Sequence, residues 1–215
     1  MADPRIVLSR RKLLHAGGGL VVATLASCHR DARACGPIDR AVQACAETHA
    51  NIEGPYYRSG APSRWDLTEP GMRGVPLDIQ GRVTTSDCKT PLRDAELDVW
   101  QADEAGHYDN DGSISVAGML LRGRVRTDGD GRYRVRSVVP GHYLNGARYR
   151  PAHVHVKLRA ASHAPLTTQL YFPDDPHNAG DPFIHSSLVM DVTRRGSGML
   201  ARFDFALRHV TVTPR

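Results

Sequence analysis

The 215-residue chain predicts an all-β domain, and three observations carry that prediction. Apolar and polar residues alternate with period two through eight short segments from residue 75 onward. Most of the 20 glycines and 14 prolines fall between those segments, the punctuation of turns rather than of helices. The 3.6-residue periodicity of an amphipathic helix is weak outside the first 27 residues and Ile38–Thr48. Two sheets packed as a sandwich are the arrangement that buries so many half-apolar strands.

The segments run in order as VPLDIQGRVT (75–84), AELDVWQAD (95–103), MLLRGRVRT (119–127) and RYRVRSVV (132–139), then AHVHVKLRA (152–160), TTQLYF (167–172), SLVMDV (187–192) and MLARFDFAL (199–207). Between the third and fourth lies TDGDGRYRV, whose Asp-Gly-Asp-Gly tolerates φ > 0 and predicts a hairpin. No repeat, second domain or low-complexity tract interrupts the series. The chain divides into residues 1–27 as an export signal, 28–49 as a linker and 50–215 as the β-domain.

The leader reading rests on LSRRKLLHAGGGLVVATLASC. Arg10 and Arg11 precede a Gly/Ala/Val/Leu stretch too short to span a bilayer, followed by small residues suited to cleavage. SRRKLL is the pattern of a twin-arginine signal, which in bacteria exports folded proteins. LASC at Leu25–Cys28 has the form of a lipoprotein box with Cys28 as lipid anchor; Ala32-Arg33-Ala34 offers a competing cleavage before Cys35. The expected location is the periplasm or a membrane-anchored lipoprotein.

Of 28 basic and 23 acidic residues, the leader holds four and one, so 24 and 22 remain and the net charge falls from +5 to +2. No basic stripe or nucleic-acid motif is left, which excludes DNA and RNA as partners. Cys35, Cys45 and Cys88 stay available for one disulfide in an oxidising compartment. Spacing alone leaves the pairing open; Cys45 with Cys88 would pin the N-terminal segment to the first strand. The absence of Cys-x-x-Cys excludes a zinc finger.

Three other motifs carry no chemistry. DNDGSI (109–114) resembles a calcium loop, but with Gly112 at the sixth position the twelfth is Gly118, where a bidentate Glu is required, so a turn is expected. Arg195-Gly196-Ser197-Gly198 lacks the Gly-x-Ser-x-Gly of a hydrolase elbow. PDDPHNAGDPF reads as a surface loop.

YRPAHVHVKL (149–158) is different. In a strand His153 and His155 share a face about 6.6 Å apart and can converge on one ion. Two imidazoles alone leave zinc, copper, nickel and iron open. No acid lies between Tyr133 and Asp174 and no cysteine follows Cys88, whereas Tyr108, Tyr133, Tyr143 and Tyr149 precede the histidines. Two phenolates with two imidazoles favour Fe(III), which depresses a phenol pKa from about 10.

WQADEAGHYDNDG, RVRTDGDGRYRVRSVVPGHY, YRPAHVHVKL and LTTQLYFPDDP, with NIEGPYYR ahead of them, resemble the intradiol ring-cleavage dioxygenases, especially the protocatechuate 3,4-dioxygenase type. The resemblance spans roughly residues 50–192. It implies a prealbumin-like β-sandwich whose long loops form a non-haem Fe(III) site. By motif, Tyr108 and Tyr143 are the tyrosinate ligands, and His153 and His155 complete the set. Tyr149 is the rival to Tyr143, and Tyr133 reads as a strand residue. Arg150 matches the arginine beside the bound substrate and Gln169 a pocket glutamine, while Trp100 and Tyr171 are expected to pack.

The implied reaction opens a catechol-type ring between its hydroxyl-bearing carbons with O2, giving a cis,cis-muconate-type product, with Tyr143 leaving the iron to take up a proton. Leu144-Asn145-Gly146 departs from the aromatic residue that follows the second tyrosine in the family, and the Tyr143–His153 loop is short. Both changes leave the ring substituents unspecified. A homo-oligomer is compatible with the chain. The alternatives are an exported β-sandwich binding module without turnover, and a zinc or copper centre on the histidine pair.

Overall fold

Period-two alternation is realised as strands, with almost no helix among the described residues. The computed structural model describes residues 45–110 and 118–211. The export signal, Cys28, Cys35 and the first part of the 28–49 linker, with the start of the Ile38–Thr48 helix, lie outside the described residues; Cys45–Thr48 is irregular. The strands are β1 (Pro76–Thr85), β2 (Glu96–Trp100), β3 (Arg122–Arg126), β4 (Arg132–Val138), β5 (Tyr143–Asn145), β6 (Arg148–Arg150), β7 (His153–Arg159), β8 (Leu166–Tyr171), β9 (Asp191–Arg195), β10 (Gly198–Arg202) and β11 (Phe205–Leu207).

One sheet runs β3-β2-β7-β8, antiparallel throughout. The other is built on β1: β4 lies antiparallel on one edge, β10 and then β11 run parallel along the other, and β9 flanks β10. β5 and β6 pair separately. Leu77, Ile79, Val83 and Val135 from the β1 sheet join Leu97, Val125, Val154, Val156, Leu158 and Leu170 from the other in one buried core. Each such side chain contributes about 1.5–3 kcal/mol on burial.

Three expectations are corrected. The turn after β3 forms, with Asp128 N–H donating to Arg132 O, but no hairpin results, because β3 joins β2 and β4 joins β1. The cause is remote in sequence: residues 62–67 wedge between them. Arg124 N–H donates to Pro62 O and Arg64 N–H to Arg124 O, while Arg136 N–H donates to Trp65 O and Leu67 N–H to Arg136 O. MLARFDFAL is two strands broken at Phe203-Asp204, where the chain folds onto Gly81; a Cβ at Gly81 would sit 1.7 Å from Phe203 O. SLVMDV begins in a 3-10 turn (Ser186–Leu188), and β9 starts only at Asp191.

The N-terminal segment is strapped on by contacts distant in sequence. A disulfide joins Cys45 to Cys88, the pairing that pins this segment beyond β1. Thr48 N–H donates to Ala206 O at 3.0 Å, and Asn51 N–H donates to Thr167 O at 2.8 Å along β8.

Candidate metal centre

The register of β7 sets the site. Val154, Val156 and Leu158 turn into the core, so His153, His155, Lys157 and Arg159 occupy the other face. Cross-strand pairing puts Trp100 and Gln169 on either side of His155, and Tyr171 beside His153. Both imidazoles are enclosed, at 2% and 1% exposure. Trp100 stacks on the His155 ring at 4.7 Å, so it packs within the site.

Four aromatic rings close a circuit. Centroids lie 4.8 Å apart for His153–His155, 5.6 Å for His153–Tyr143, 5.6 Å for Tyr143–Tyr108 and 6.3 Å for Tyr108–His155. His153 Nδ1 lies 2.6 Å from Pro151 O, an acceptor only, so Nδ1 carries the proton and the Nε2 lone pair is free. His153 Nε2, both His155 nitrogens and the Tyr108 hydroxyl are buried without a hydrogen-bond partner. Each unsatisfied group costs about 1–3 kcal/mol, a sum that a bound cation offsets. No group of three or more His, Cys, Asp or Glu suited to a metal exists among the described residues, so a metal held here needs the tyrosines.

Burial sets the protonation states. Desolvation, then the Arg150 charge, lowers His153 to about 4, and desolvation, then His153, holds His155 well below the ordinary histidine range. Both imidazoles are therefore neutral at pH 7, as ligands must be. Desolvation raises Tyr108 far above 10, reinforced by Tyr143 and opposed by Arg150 and Arg122. Desolvation also raises Tyr143, opposed by Arg150. Deprotonating both phenols calls for a strongly charged ion.

The β5–β6 ladder separates the rival tyrosines. Tyr143 pairs with Arg150 and Leu144 with Tyr149, so the two tyrosines fall on opposite faces. Tyr149 is 53% exposed against the His177 ring, and Tyr133 donates its hydroxyl to Phe203 O.

Arg150, 4% exposed, is held on every side. Its Nε donates to Asp181, and Nη2 donates to Gln169 Oε1 at 2.7 Å and lies 3.4 Å from the Tyr171 hydroxyl. Nη1 lies 3.3 Å from the Tyr143 hydroxyl, and Phe183 covers the guanidinium at 4.8 Å. Gln169 Nε2 donates to Ile52 O, and its Oε1 also accepts from Tyr171. Tyr171 is thus more than packing; desolvation pushes its hydroxyl up to about 12 against the Arg150 charge.

Sequence reasoning missed several groups. In PDDPHNAGDPF, Asp181 turns inward to Arg150, and Asp175 accepts from Ala152 N–H and pairs with His142 at 2.8 Å. The stretch without acids from Tyr133 to Asp174 was the available signal: a buried arginine in it must find its counter-ion beyond. Tyr56 stacks on Tyr108 at 4.3 Å and meets the edge of Tyr143 at 5.7 Å, which no local pattern indicated.

Known proteins resemble this chain in fold and sequence. The family model described as Dioxygenase matches residues 52–209. The protocatechuate 3,4-dioxygenase beta chain of Burkholderia cepacia is 34% identical over 177 residues, covering 71% of this chain and 75% of that protein. The chlorocatechol 1,2-dioxygenase of Rhodococcus opacus is 31% identical over 188 residues, with 75% and 73% covered. The solved dioxygenase domain of a dioxygenase–carbohydrate-binding fusion from Streptomyces sp. SirexAA-E superposes with a TM-score of 0.68 at 38% identity, covering 76% of this chain and 99% of that one. The chain belongs to the intradiol ring-cleavage dioxygenases, a family of enzymes.

Proposed function

We propose that Tyr108, Tyr143, His153 and His155 hold a non-haem Fe(III) ion and that the enzyme opens a catechol-type ring with O2 to a cis,cis-muconate-type product. The observation that carries this reading is the set of buried, unpartnered atoms, Tyr108 Oη, His153 Nε2 and His155 Nε2, in one ring circuit with Tyr143. Hard phenolate oxygens with neutral imidazoles fit a trivalent ion better than zinc or copper. Two sheets sharing one core support a prealbumin-like sandwich, with the tyrosines supplied from loop and sheet margin and the histidines from β7.

Held by these four residues, the ion would supply Lewis acidity toward the bound catechol. Tyr143 is the less enclosed phenol and its Oη already faces Arg150, so it is the one that would take a proton from the incoming catechol. Arg150 Nη1 remains a donor to that oxygen and stabilises negative charge growing on the ring. Asp181 and Gln169 fix the guanidinium plane. Pro151 O holds His153 in the tautomer that presents Nε2.

We assign residues 1–27 to an export signal; the Cys45–Cys88 disulfide supports an oxidising destination, and intact mass of the mature protein reads lipidation at Cys28. The metal test is colour. Iron-loaded protein is expected to be red-brown from tyrosinate charge transfer, to shift on adding catechol, and to consume O2 with a ring-opened product. Colourless protein carrying stoichiometric zinc after access to iron sinks the ferric reading. Colour without O2 uptake across a catechol panel favours a binding module.

A further inference from the structure

Asp109 and Asn110 open the DNDGSI stretch, whose remainder, residues 111–114, lies outside the described residues, and their side-chain oxygens have a use other than calcium. We infer that Asp109 and Arg122 form a positioning pair that holds Tyr108 toward the metal centre, an inference resting on the ferric reading above. The four donors are not equally secured. His153 and His155 are fixed by the β7 ladder and Tyr143 by β5, but Tyr108 lies in the irregular stretch of residues 101–110 that follows β2. A side chain on a loop keeps ligand geometry only when neighbouring contacts immobilise it.

Asp109, the next residue, is such a contact point, with its side chain 3% exposed. Its Oδ1 accepts from Arg122 Nε at 2.5 Å, and its Oδ2 accepts from Leu120 N–H at 2.9 Å and Arg58 Nη1 at 3.4 Å. The Asp109 carbonyl accepts from the same Arg58 Nη1 at 2.7 Å. Arg122 Nη2 then reaches Asn110 Oδ1 at 2.6 Å, so one guanidinium holds two successive residues after the ligand. Arg122 is anchored in β3 opposite Trp100, which pairs in turn with His155, so loop and histidine strand share one cross-strand row. Two residues before Arg58, Tyr56 stacks on the Tyr108 ring and fixes it from the other side.

Stability alone does not explain the pair. A buried ion pair contributes little over apolar residues of the same size, so its effect lies in the geometry it imposes. Groups that orient a metal ligand in this way change metal affinity about 10–100-fold.

The test uses two readouts. Metal-free protein is titrated with Ga(III), supplied as its nitrilotriacetate complex, a redox-inert trivalent ion, and phenolate formation is followed by ultraviolet difference absorption. Wild type is expected to form two phenolates per metal and Tyr143→Phe one. Asp109→Asn and Arg122→Met are expected to fall toward one, with affinity down about tenfold or more; Arg122→Lys, which keeps the charge but cannot hold both residues, falls between. Tetranitromethane nitration of the metal-free protein, mapped by mass spectrometry, is the second readout. Tyr108 is expected to be protected in wild type and modified in both variants, while buried Tyr133 in β4 stays protected as the monitor of folding.

Two phenolates at wild-type affinity, with Tyr108 still protected in folded variants, would overturn the inference. If wild type forms no phenolate with Ga(III), the ferric reading fails, and the nitration result still decides whether the pair positions Tyr108. A variant that exposes Tyr133 has unfolded, and Arg122→Lys and Asn110→Ala then carry the comparison.

Discussion

The two faces of β7 make opposite demands on one backbone. Toward the core, Val154, Val156 and Leu158 are satisfied by contact alone. Toward the centre, His153 and His155 are as deeply buried yet leave Nε2 atoms without a partner. One backbone with a single register therefore serves both faces: the apolar residues fix the strand, and the strand fixes the imidazoles. The difference teaches that the centre borrows its rigidity from the core while contributing little to stability itself, and variants on each face can test this.

Tyr108→Phe should give the largest effect. It deletes an unpartnered hydroxyl without changing the ring, so metal content by elemental analysis and O2 uptake should fall at least about 100-fold, with the metal-free thermal midpoint unchanged or raised. Leu158→Ala is the mirror experiment. It should cost about 2–5 kcal/mol by denaturant titration, yet iron per folded molecule should stay at the wild-type level. A Leu158→Ala protein that folds and carries no iron would break the comparison.

Asp181→Asn removes the carboxylate that fixes Arg150, and should lower kcat by roughly 10-fold or more with iron content intact. Loss of iron instead would make Asp181 part of metal retention.

Asp98 sharpens the comparison from within the same sheet. Desolvation raises its pKa, against the hydrogen bond from Tyr57 and the charges of Arg124 and Arg159. A carboxyl raised on folding binds its proton more tightly when folded, so its ionised form costs stability above the folded pKa, and that cost disappears below the unfolded value. Asp98→Asn should therefore raise the thermal midpoint at pH 7 by roughly 2–4 °C, a gain that shrinks as pH falls through the folded pKa. Tyr149→Phe should do least, within about 0.5 kcal/mol and with unchanged metal loading.

What the sequence made legible was whatever has a short period. Alternation located the strands, and His-x-His located the pair on β7. The resemblance singled out Tyr143 over Tyr149, and β5–β6 pairing sets the two on opposite faces. Partner choice was not legible, because it is decided at a distance. Asp181 reaches Arg150 across 31 residues from an aperiodic loop, and the 62–67 wedge sends β3 and β4 into different sheets despite an intact turn. Asp109 looked like half of a calcium loop because sequence shows an acid but not the guanidinium that occupies it.

The strap that bonds Thr48 to Ala206 has a consequence in time. Contacts bridging 158 residues are the costliest to close, and the wall of the centre built from residues 51–58 bonds to Thr167, Gln169 and Phe183, so it needs most of the chain in place. A partly synthesised chain would lack this wall. On the ferric reading proposed above, metal capture is therefore expected to follow folding, which would let the compartment that completes the fold select the ion.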